Sequence, residues 1–460
     1  MRSSHGWREI DSERKGEILA AIASGAATRG PAHAELDLTD RCNVACYFCN
    51  QQDTRTRHQI PIERALRLID ELAEGGVRSV RLSGGGDPLF HKEIRQIFDR
   101  LAERGIVIDN LTTNAVALND EIATRLVAGA AREVIVSLNA ADPADYHRMM
   151  QVKPALFDQV LANARNLVAR RGDAKRPIVV VQFLLDRQNF GRMVDMYEIA
   201  RGLGVDVVAI NTVLEIPLDR IDRGLLLRPE DREEARPLLT EILRRDKGHG
   251  ILQVNFGVSG WAEMVAAAER EAQHSISTHF ESAPSFSDDN GGCFFAWYST
   301  AITGNGNMSP CCLLLRPGRE PVGNILESSL QSQWNGPGYT QMRKEMRQVL
   351  LEGQGSSWNP QRFKILDQAC VQPHACWLKN VFFRWDEEFY RELKTTLAKA
   401  RRKESRWTGT PDQRRLAQQR FRVAHPRFEP VLRKVLDWSR PLRHWWRTKR
   451  QRRAESLTTG

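Results

Sequence analysis

Asp37-Leu38-Thr39-Asp40-Arg41-Cys42-Asn43-Val44-Ala45-Cys46-Tyr47-Phe48-Cys49-Asn50-Gln51 is the stretch on which the rest of the chain turns. It gathers three cysteines at C-x3-C-x2-C spacing in a chain with eight cysteines in 460 residues. Iron–sulfur clusters normally take four thiolates, so three leave one iron with an open coordination position. An open position binds a ligand, whereas a closed four-ligand site only holds structure. A zinc knuckle would want four ligands in paired C-x2-C spacing, and no second pair or histidine lies within the stretch. A disulfide would need an oxidising compartment, and the opening Met1 to Trp7 lacks the apolar segment of a secretory signal. Leu36 and Leu38 alternate as in a short strand. The cysteines are therefore expected at a strand's C-terminal end, where barrel enzymes build their sites.

Composition sets the bounds. A chain of 460 residues with 41% apolar and 27% charged residues accommodates two or three globular domains. No apolar run approaches the roughly 20 residues that span a bilayer. Grouped cysteines without an export signal point to a reducing cytoplasm. The net charge of +10 is unevenly spread: residues 401–460 hold 18 Lys/Arg against 5 Asp/Glu, a net of +13, so residues 1–400 carry −3. The basicity belongs to the tail.

Strand-like runs occur at 35–39, 78–83, 106–112, 133–139, 177–185 and 206–214, with helical periods at 61–74, 91–104, 119–128, 155–171 and 190–203. Several runs are nearly continuous aliphatics, as in a parallel sheet covered by helices. Six strand–helix repeats fall short of the eight of a closed barrel. The expected fold class is α/β, an open, partial (β/α)6 barrel. The expected organisation is a lead-in over 1–34 with a helix at 10–22, the barrel with a mostly helical extension over 35–275, a linker at 276–292, a small cysteine-rich unit at 293–380, and a helical, basic tail at 381–460.

A second motif, Leu82-Ser83-Gly84-Gly85-Gly86-Asp87-Pro88-Leu89, follows the second strand. A glycine run lets backbone approach a ligand closely, and it also serves a tight strand-to-helix turn. With C-x3-C-x2-C, and with Phe48 before the last cysteine, this arrangement resembles the radical S-adenosylmethionine (SAM) superfamily. The resemblance implies that Cys42, Cys46 and Cys49 hold a 4Fe–4S cluster whose open iron chelates SAM. In that family Gly-Gly-Glu-Pro receives the methionyl amino group; Gly85, Gly86, Asp87 and Pro88 match, with Asp87 one methylene shorter than glutamate. Thr112-Thr113-Asn114 and Ser137-Leu138-Asn139 close the third and fourth strands. The resemblance implies SAM contacts from Asn114, Ser137 and Asn139, although each type also serves as a cap or turn residue. Arg148 or Lys153 would meet the SAM carboxylate, and Asn211 the adenosine or substrate.

Cys293, Cys311, Cys312, Cys370 and Cys376 form a third group. Gly304-Asn305-Gly306 reads as a hairpin turn returning Cys311 toward Cys293. Gly306-x4-Cys311, Val322-Gly323-Asn324-Ile325 and Trp334-Asn335 resemble the SPASM or twitch extension of radical SAM proteins. Full SPASM domains continue with C-x2-C-x5-C-x3-C. Here only Cys370-x5-Cys376 matches, with Asp367 and Asn380 where the outer cysteines would fall. That leaves ligands for one auxiliary 4Fe–4S cluster: Cys293, Cys311, Cys370 and Cys376, with Cys312 spare or in exchange with Cys311. From the residues alone a four-cysteine zinc site is equally open.

The resemblance implies an enzyme that cleaves SAM reductively to a 5′-deoxyadenosyl radical, with electrons from a donor such as a flavodoxin or ferredoxin. The auxiliary cluster would accept an electron from the substrate radical or anchor the substrate. Residues 1–34 are too few for the leader-binding domain that many peptide maturases of this type carry. The expected substrate is therefore a carbohydrate- or cyclitol-like metabolite, oxidised or epimerised, and the alternative is a ribosomally made peptide or protein. Trp407, Trp438, Trp445 and Trp446 interleave with arginines in the tail. That pattern fits an anionic membrane surface or a partner protein ahead of nucleic acid.

Overall fold

Aliphatic runs bounded by turn residues become the parallel strands of one sheet. The computed structural model describes residues 7, 10–49, 51, 57–213, 223–256, 261–276, 293–315, 320–352, 359, 361–366 and 386–407. Its strands are β1 (His33–Leu36), β2 (Ser79–Leu82), β3 (Val107–Thr113), β4 (Glu133–Ser137), β5 (Ile178–Leu185), β6 (Val207–Thr212) and β7 (Leu252–Asn255). All seven run parallel, in the order of the chain. The six expected strands are present, and β7 is one more. Its four residues, Leu-Gln-Val-Asn, lie inside a stretch expected to be helical, too short for their alternation to stand out.

Between the strands lie α2 (Ile62–Glu74), α3 (Ile94–Glu103), α4 (Asp120–Arg125), α6 (Leu156–Arg171) and α7 (Met193–Gly202), close to the expected periods, and α8 (Arg232–Asp246) and α9 (Trp261–Ala272) flank β7. The lead-in helix α1 (Ser12–Ser24) is capped by Asp11, whose side chain accepts from the Arg14 amide at 2.7 Å. Helix α5 (Pro143–Met150) was not anticipated. It begins on an Asp-Pro start: Asp142 accepts from the Asp145 amide at 2.8 Å and Pro143 takes the first turn, where its missing N–H costs nothing.

Alternation along the strands separates two faces. Val134, Val136, Val179, Val181, Val208 and Ile210 belong to the main core with the helices. Ile135, Val180, Val207 and Ala209 form a small apolar patch on the opposite face. By the same period of two, Ser137, Gln182 and Asn211 continue that second face toward the strand C-termini. An apolar floor thus leads to a polar upper rim on the side that the helices leave uncovered.

The cysteine-rich segment joins this sheet. After α10 (Phe295–Tyr298), strand β8 (Ser299–Ile302) pairs in parallel with β1, from His33↔Ser299 to Leu36↔Ile302. Strand β9 (Asn307–Ser309) returns antiparallel to β8, and β10 (Gly323–Asn324) pairs with β9. The hairpin expected around Gly304-Asn305-Gly306 is therefore present, with Gly306 at φ 82°. Helices α11 (Leu330–Trp334) and α12 (Pro337–Glu352) follow.

The chain divides into two compact units, residues 1–397 and 398–460. Helix α13 (Glu387–Trp407) buries Phe389, Tyr390, Leu393 and Leu397 in the core of the first unit, where Phe389 meets Trp7 edge-on at 4.6 Å. In the second unit, residues 398–407 are helical. The rest of the basic tail, Cys370, Cys376, Asp367, Asn380 and nearly all of the 276–292 linker lie outside the described residues. No helix among the described residues is long and apolar enough to cross a membrane.

Candidate functional site

The cysteine loop leaves β1 through Asp37 and is held on both sides by backbone. The Ala45 amide donates to the Met150 carbonyl (3.0 Å), the Tyr47 amide to the Met149 carbonyl (3.2 Å), and the Cys49 amide to the Cys46 carbonyl (3.0 Å). The last turn of α5 is thus the loop's platform. The Cys46 thiol lies 3.6 Å from the Met150 sulfur, which also receives the Asn139 side-chain amide at 3.6 Å.

Tyr47 adds a second brace. Its hydroxyl donates to Asp186, fully buried just past the end of β5, and Arg148 donates to the same carboxylate oxygen at 2.9 Å. The other oxygen of Asp186 accepts the Gln188 and Asn189 amides, each at 2.8 Å. Burial first, then the hydrogen bond to Asp186, hold the Tyr47 phenol well above its usual range. Arg148 also donates to Asp145 at 2.8 Å, so the expected carboxylate partner of SAM is here committed to two protein carboxylates. Lys153 is exposed.

The glycine run meets the start of the same loop. A Cβ at Gly84 would fall inside the Asp37 carboxylate, one at Gly86 would collide with the Arg41 carbonyl, and one at Gly85 would lie 2.7 Å from Asp40 Oδ1. Gly84 also sits at φ 119°, which only glycine adopts without strain. The Asp87 amide then donates to the Arg41 carbonyl at 2.9 Å. The side chain of Asp87 has its own work. It caps the turn at Pro88–Phe90 by accepting the Leu89 amide (2.9 Å), and accepts from the Thr113 hydroxyl (2.8 Å) and the Asn114 amide (2.7 Å). Burial raises its pKa, and those three donors oppose the rise. The shorter carboxylate thus ties the glycine turn to the end of β3.

The Asn114 side-chain amide spans to Asn43 Oδ1 (2.6 Å) and to the Cys42 sulfur (3.7 Å). Asn139, at φ 61°, accepts the Leu184 amide at 3.0 Å. The ends of β3 and β4 therefore reach the cysteine loop from two sides, through Asn114 to Cys42 and through Asn139 and Met150 to Cys46. Ser137, the last residue of β4, lies on the open face beside Gln182 of β5.

In the second cysteine group the Phe295 amide donates to the Cys293 sulfur at 3.5 Å. Ser299 donates to the Pro310 carbonyl at 2.6 Å, which brings Cys311 alongside the start of β8. The two adjacent cysteines meet different surroundings. Cys311 acts electrostatically on Tyr339, whereas burial and then the neighbouring Glu35 push the Cys312 thiol far up. Glu35 itself lies 4.0 Å from Arg81, its neighbour across the β1–β2 pair.

Glu345 on α12, only 2% exposed, accepts three successive backbone amides: Lys364 (2.9 Å), Ile365 (3.0 Å) and Leu366 (3.0 Å). It fixes the chain four residues before Cys370. Glu345→Ala would strand those donors in the interior. The expected loss is about 3 kcal/mol, as when one partner of a buried charged hydrogen-bond set is removed. Chemical denaturation of the reconstituted protein checks it, together with depletion of iron from the C-terminal site.

The six described cysteines stand as thiols rather than disulfides. Among the described residues no three His, Cys, Asp or Glu side chains converge at metal-ligand separation, so their fit to a cluster rests on donor chemistry. Three thiols on one braced loop, with no carboxylate or imidazole among them, suit iron–sulfur ligation. The profile of the radical SAM superfamily matches residues 36–200, and that of SPASM, an iron–sulfur cluster-binding domain, matches residues 293–353. Residues 36–200 are thus a radical SAM domain and residues 293–353 a SPASM domain.

Domains of these two kinds take SAM and a 4Fe–4S cluster, with auxiliary iron–sulfur ligation in the extension. The chain is 28% identical over 212 residues to a probable GTP 3′,8-cyclase of Methanosarcina acetivorans, covering 45% of this chain and 60% of that one. It is 24% identical over 222 residues to the PqqA peptide cyclase of Granulibacter bethesdensis, covering 48% and 57%. The chain thus spans somewhat over half the length of these two relatives. Its fold superposes on Streptococcus suis SuiB bound to the precursor peptide SuiA with a TM-score of 0.51 at 18% identity, over 71% of this chain and 70% of that one.

Proposed function

We propose that Cys42, Cys46 and Cys49 hold the SAM-binding cluster. The backbone of Gly85, Gly86, Asp87 and Pro88, with Asn114, Ser137 and Asn139, would receive SAM. The observation that carries this reading is the docking of the cysteine loop against the glycine turn and the ends of β3 and β4. When bound, cluster and SAM together supply one-electron cleavage to methionine and a 5′-deoxyadenosyl radical that takes a hydrogen atom from substrate. The protein contributes placement and dryness. Asp87 fixes the turn and Asn114 fixes the loop beside Cys42. The apolar patch of Ile135, Val180, Val207 and Ala209 closes the base of the open face to water.

For the substrate we favour a peptide or protein over the carbohydrate expected from sequence. Support comes from the peptide cyclase among its relatives and from a fold that, in SuiB, accommodates a precursor peptide. Cys293, Cys311, Cys370 and Cys376 are the proposed ligands of one auxiliary 4Fe–4S cluster, which accepts the electron left on the substrate and makes the reaction an oxidation.

Anaerobically reconstituted protein should carry about eight irons, four per cluster of this kind, and form 5′-deoxyadenosine from SAM and dithionite. Peptide and small-metabolite fractions of a perdeuterated extract of the source cell then separate the substrate classes. Deuterium should enter 5′-deoxyadenosine from the peptide fraction. Transfer from the sugar-containing fraction instead would restore the carbohydrate reading. A Cys370→Ala/Cys376→Ala variant should still make 5′-deoxyadenosine and yet give no oxidised product. Full product from a folded double variant would make the auxiliary cluster structural.

A further inference from the structure

The uncovered face of the sheet changes character along its width. On its first strands it is charged: Glu35, Arg81 and Asn110 stand in register, and Asn110 donates to the Glu133 carboxylate at 2.6 Å. On β5 to β7 this face carries no charged side chain. Two rows cross that half, Gln182↔Ala209↔Gln253 and, two residues nearer the strand ends, Leu184↔Asn211↔Asn255. The intervening residues Phe183, Ile210 and Val254 belong to the core beneath the helices, so the four carboxamides of the two rows point the other way. Asn211 is 8% exposed, yet among the described residues its carboxamide makes no hydrogen bond, nor do those of Gln182 and Asn255.

A carboxamide withdrawn from water without a partner is costly, and each of these offers both a donor and an acceptor on one planar group. A ligand that offsets the cost must itself donate and accept. A peptide backbone does so at almost every residue. Charge is disfavoured here. A phosphate or carboxylate would give up its hydration to a surface with no cation on these strands, and an ammonium to one with no anion. The rows begin at the SAM side. Ser137, assigned above to SAM, is the direct neighbour of Gln182, and Asn139 accepts the Leu184 amide at 3.0 Å. From β4 to β7 is three strand spacings, about 14 Å, which about four extended residues cover and a monosaccharide does not.

We propose that Gln182, Asn211, Gln253 and Asn255 are specificity-determining residues, whose carboxamides hydrogen-bond the backbone of an uncharged substrate segment of about four residues and set the residue that reacts beside Ser137. The inference rests on the peptide reading proposed above and adds to it the length and charge of the segment.

The test titrates the peptide fraction of the perdeuterated extract into reconstituted full-length protein and follows deuterium in 5′-deoxyadenosine. Q182L, N255L and the double variant nearly keep side-chain volume and lose donor and acceptor. The double variant should need about tenfold more of the fraction for half-maximal transfer, as expected when two neutral hydrogen bonds are lost. Transfer at saturation should not change, nor should SAM affinity measured by equilibrium dialysis. An unchanged half-saturation point in the double variant overturns the proposal. So does an equal loss of SAM affinity, which would make the strip part of the SAM site. Should Q182L lose the folded circular dichroism spectrum, N255L decides alone. Asn255 ends the last strand of the sheet, and a half-saturation point at the wild-type value there overturns the proposal. Deuterium reaching wild-type protein only from the sugar-containing fraction refutes the peptide reading itself. That failure is seen before any variant is made.

Discussion

Cys46→Ala is expected to reduce 5′-deoxyadenosine formation to the enzyme-free rate while leaving the protein folded. In the reading proposed above, Cys46 supplies one of the three thiolates that hold the SAM-binding cluster. The loop's path does not depend on the thiol. Ala45, Tyr47 and Cys49 fix it through backbone hydrogen bonds, two of them to the end of α5. The substitution removes one buried sulfur beside Met150, a loss of about 1 kcal/mol, typical of a single small truncation. Iron should fall from about eight to about four per chain as one 4Fe–4S cluster is lost, and the circular dichroism spectrum should not change. Residual SAM cleavage in the variant, above that of protein-free solution, would remove Cys46 from the ligand set.

The second large effect is expected at Gly84. Alanine there would adopt φ 119° and place its Cβ within the Asp37 carboxylate. Asp37 cannot swing aside cheaply, since it is buried, accepts the Gly85 amide, and has its pKa raised by burial and by Glu35. Backbone strain of about 1–3 kcal/mol adds to overpacking of about 1–3 kcal/mol, so a loss of about 4 kcal/mol is expected. Gly105 is the control. It has φ 65° with nothing within 4 Å of an added Cβ, so alanine there should cost only about 1–2 kcal/mol of left-handed strain. Equal denaturation midpoints for the two variants would show that the glycine turn is not packed on Asp37.

The contrast between these positions explains what could be read in the sequence. Metal ligands on one loop are close in sequence, so the spacing of Cys42, Cys46 and Cys49 is visible without a structure. The glycine run is visible for a related reason: an approach too close for any side chain leaves only one residue type. Aliphatic runs such as Ile178–Leu185 announce buried strands. Other parts depend on contacts far apart in the chain. Asp186 is a lone acid after an aliphatic run, and nothing local says that it braces Tyr47. Glu345 left a fainter trace, as a charge within the apolar stripe of Tyr339, Met342, Met346 and Val349. Strand β7 was missed because four residues alternating apolar and polar are too short a period to rise above their helical neighbours. Whether Cys311 or Cys312 faces a cluster depends on one residue's rotation after β9, which spacing cannot convey.

The pairing of β8 with β1 bears on how such a protein could be cut, or assembled by recombination. With β8 removed, His33–Leu36 would become a bare edge, its outward N–H and C=O groups ready to recruit another strand. Residues 1–292 expressed alone would tend to stick to themselves rather than behave as a smaller soluble enzyme. A C-terminal module grafted from a relative would have to bring a strand in register with His33–Leu36 as well as its own cysteines. The barrel and its extension thus share one sheet, joined by four residue pairs along one edge.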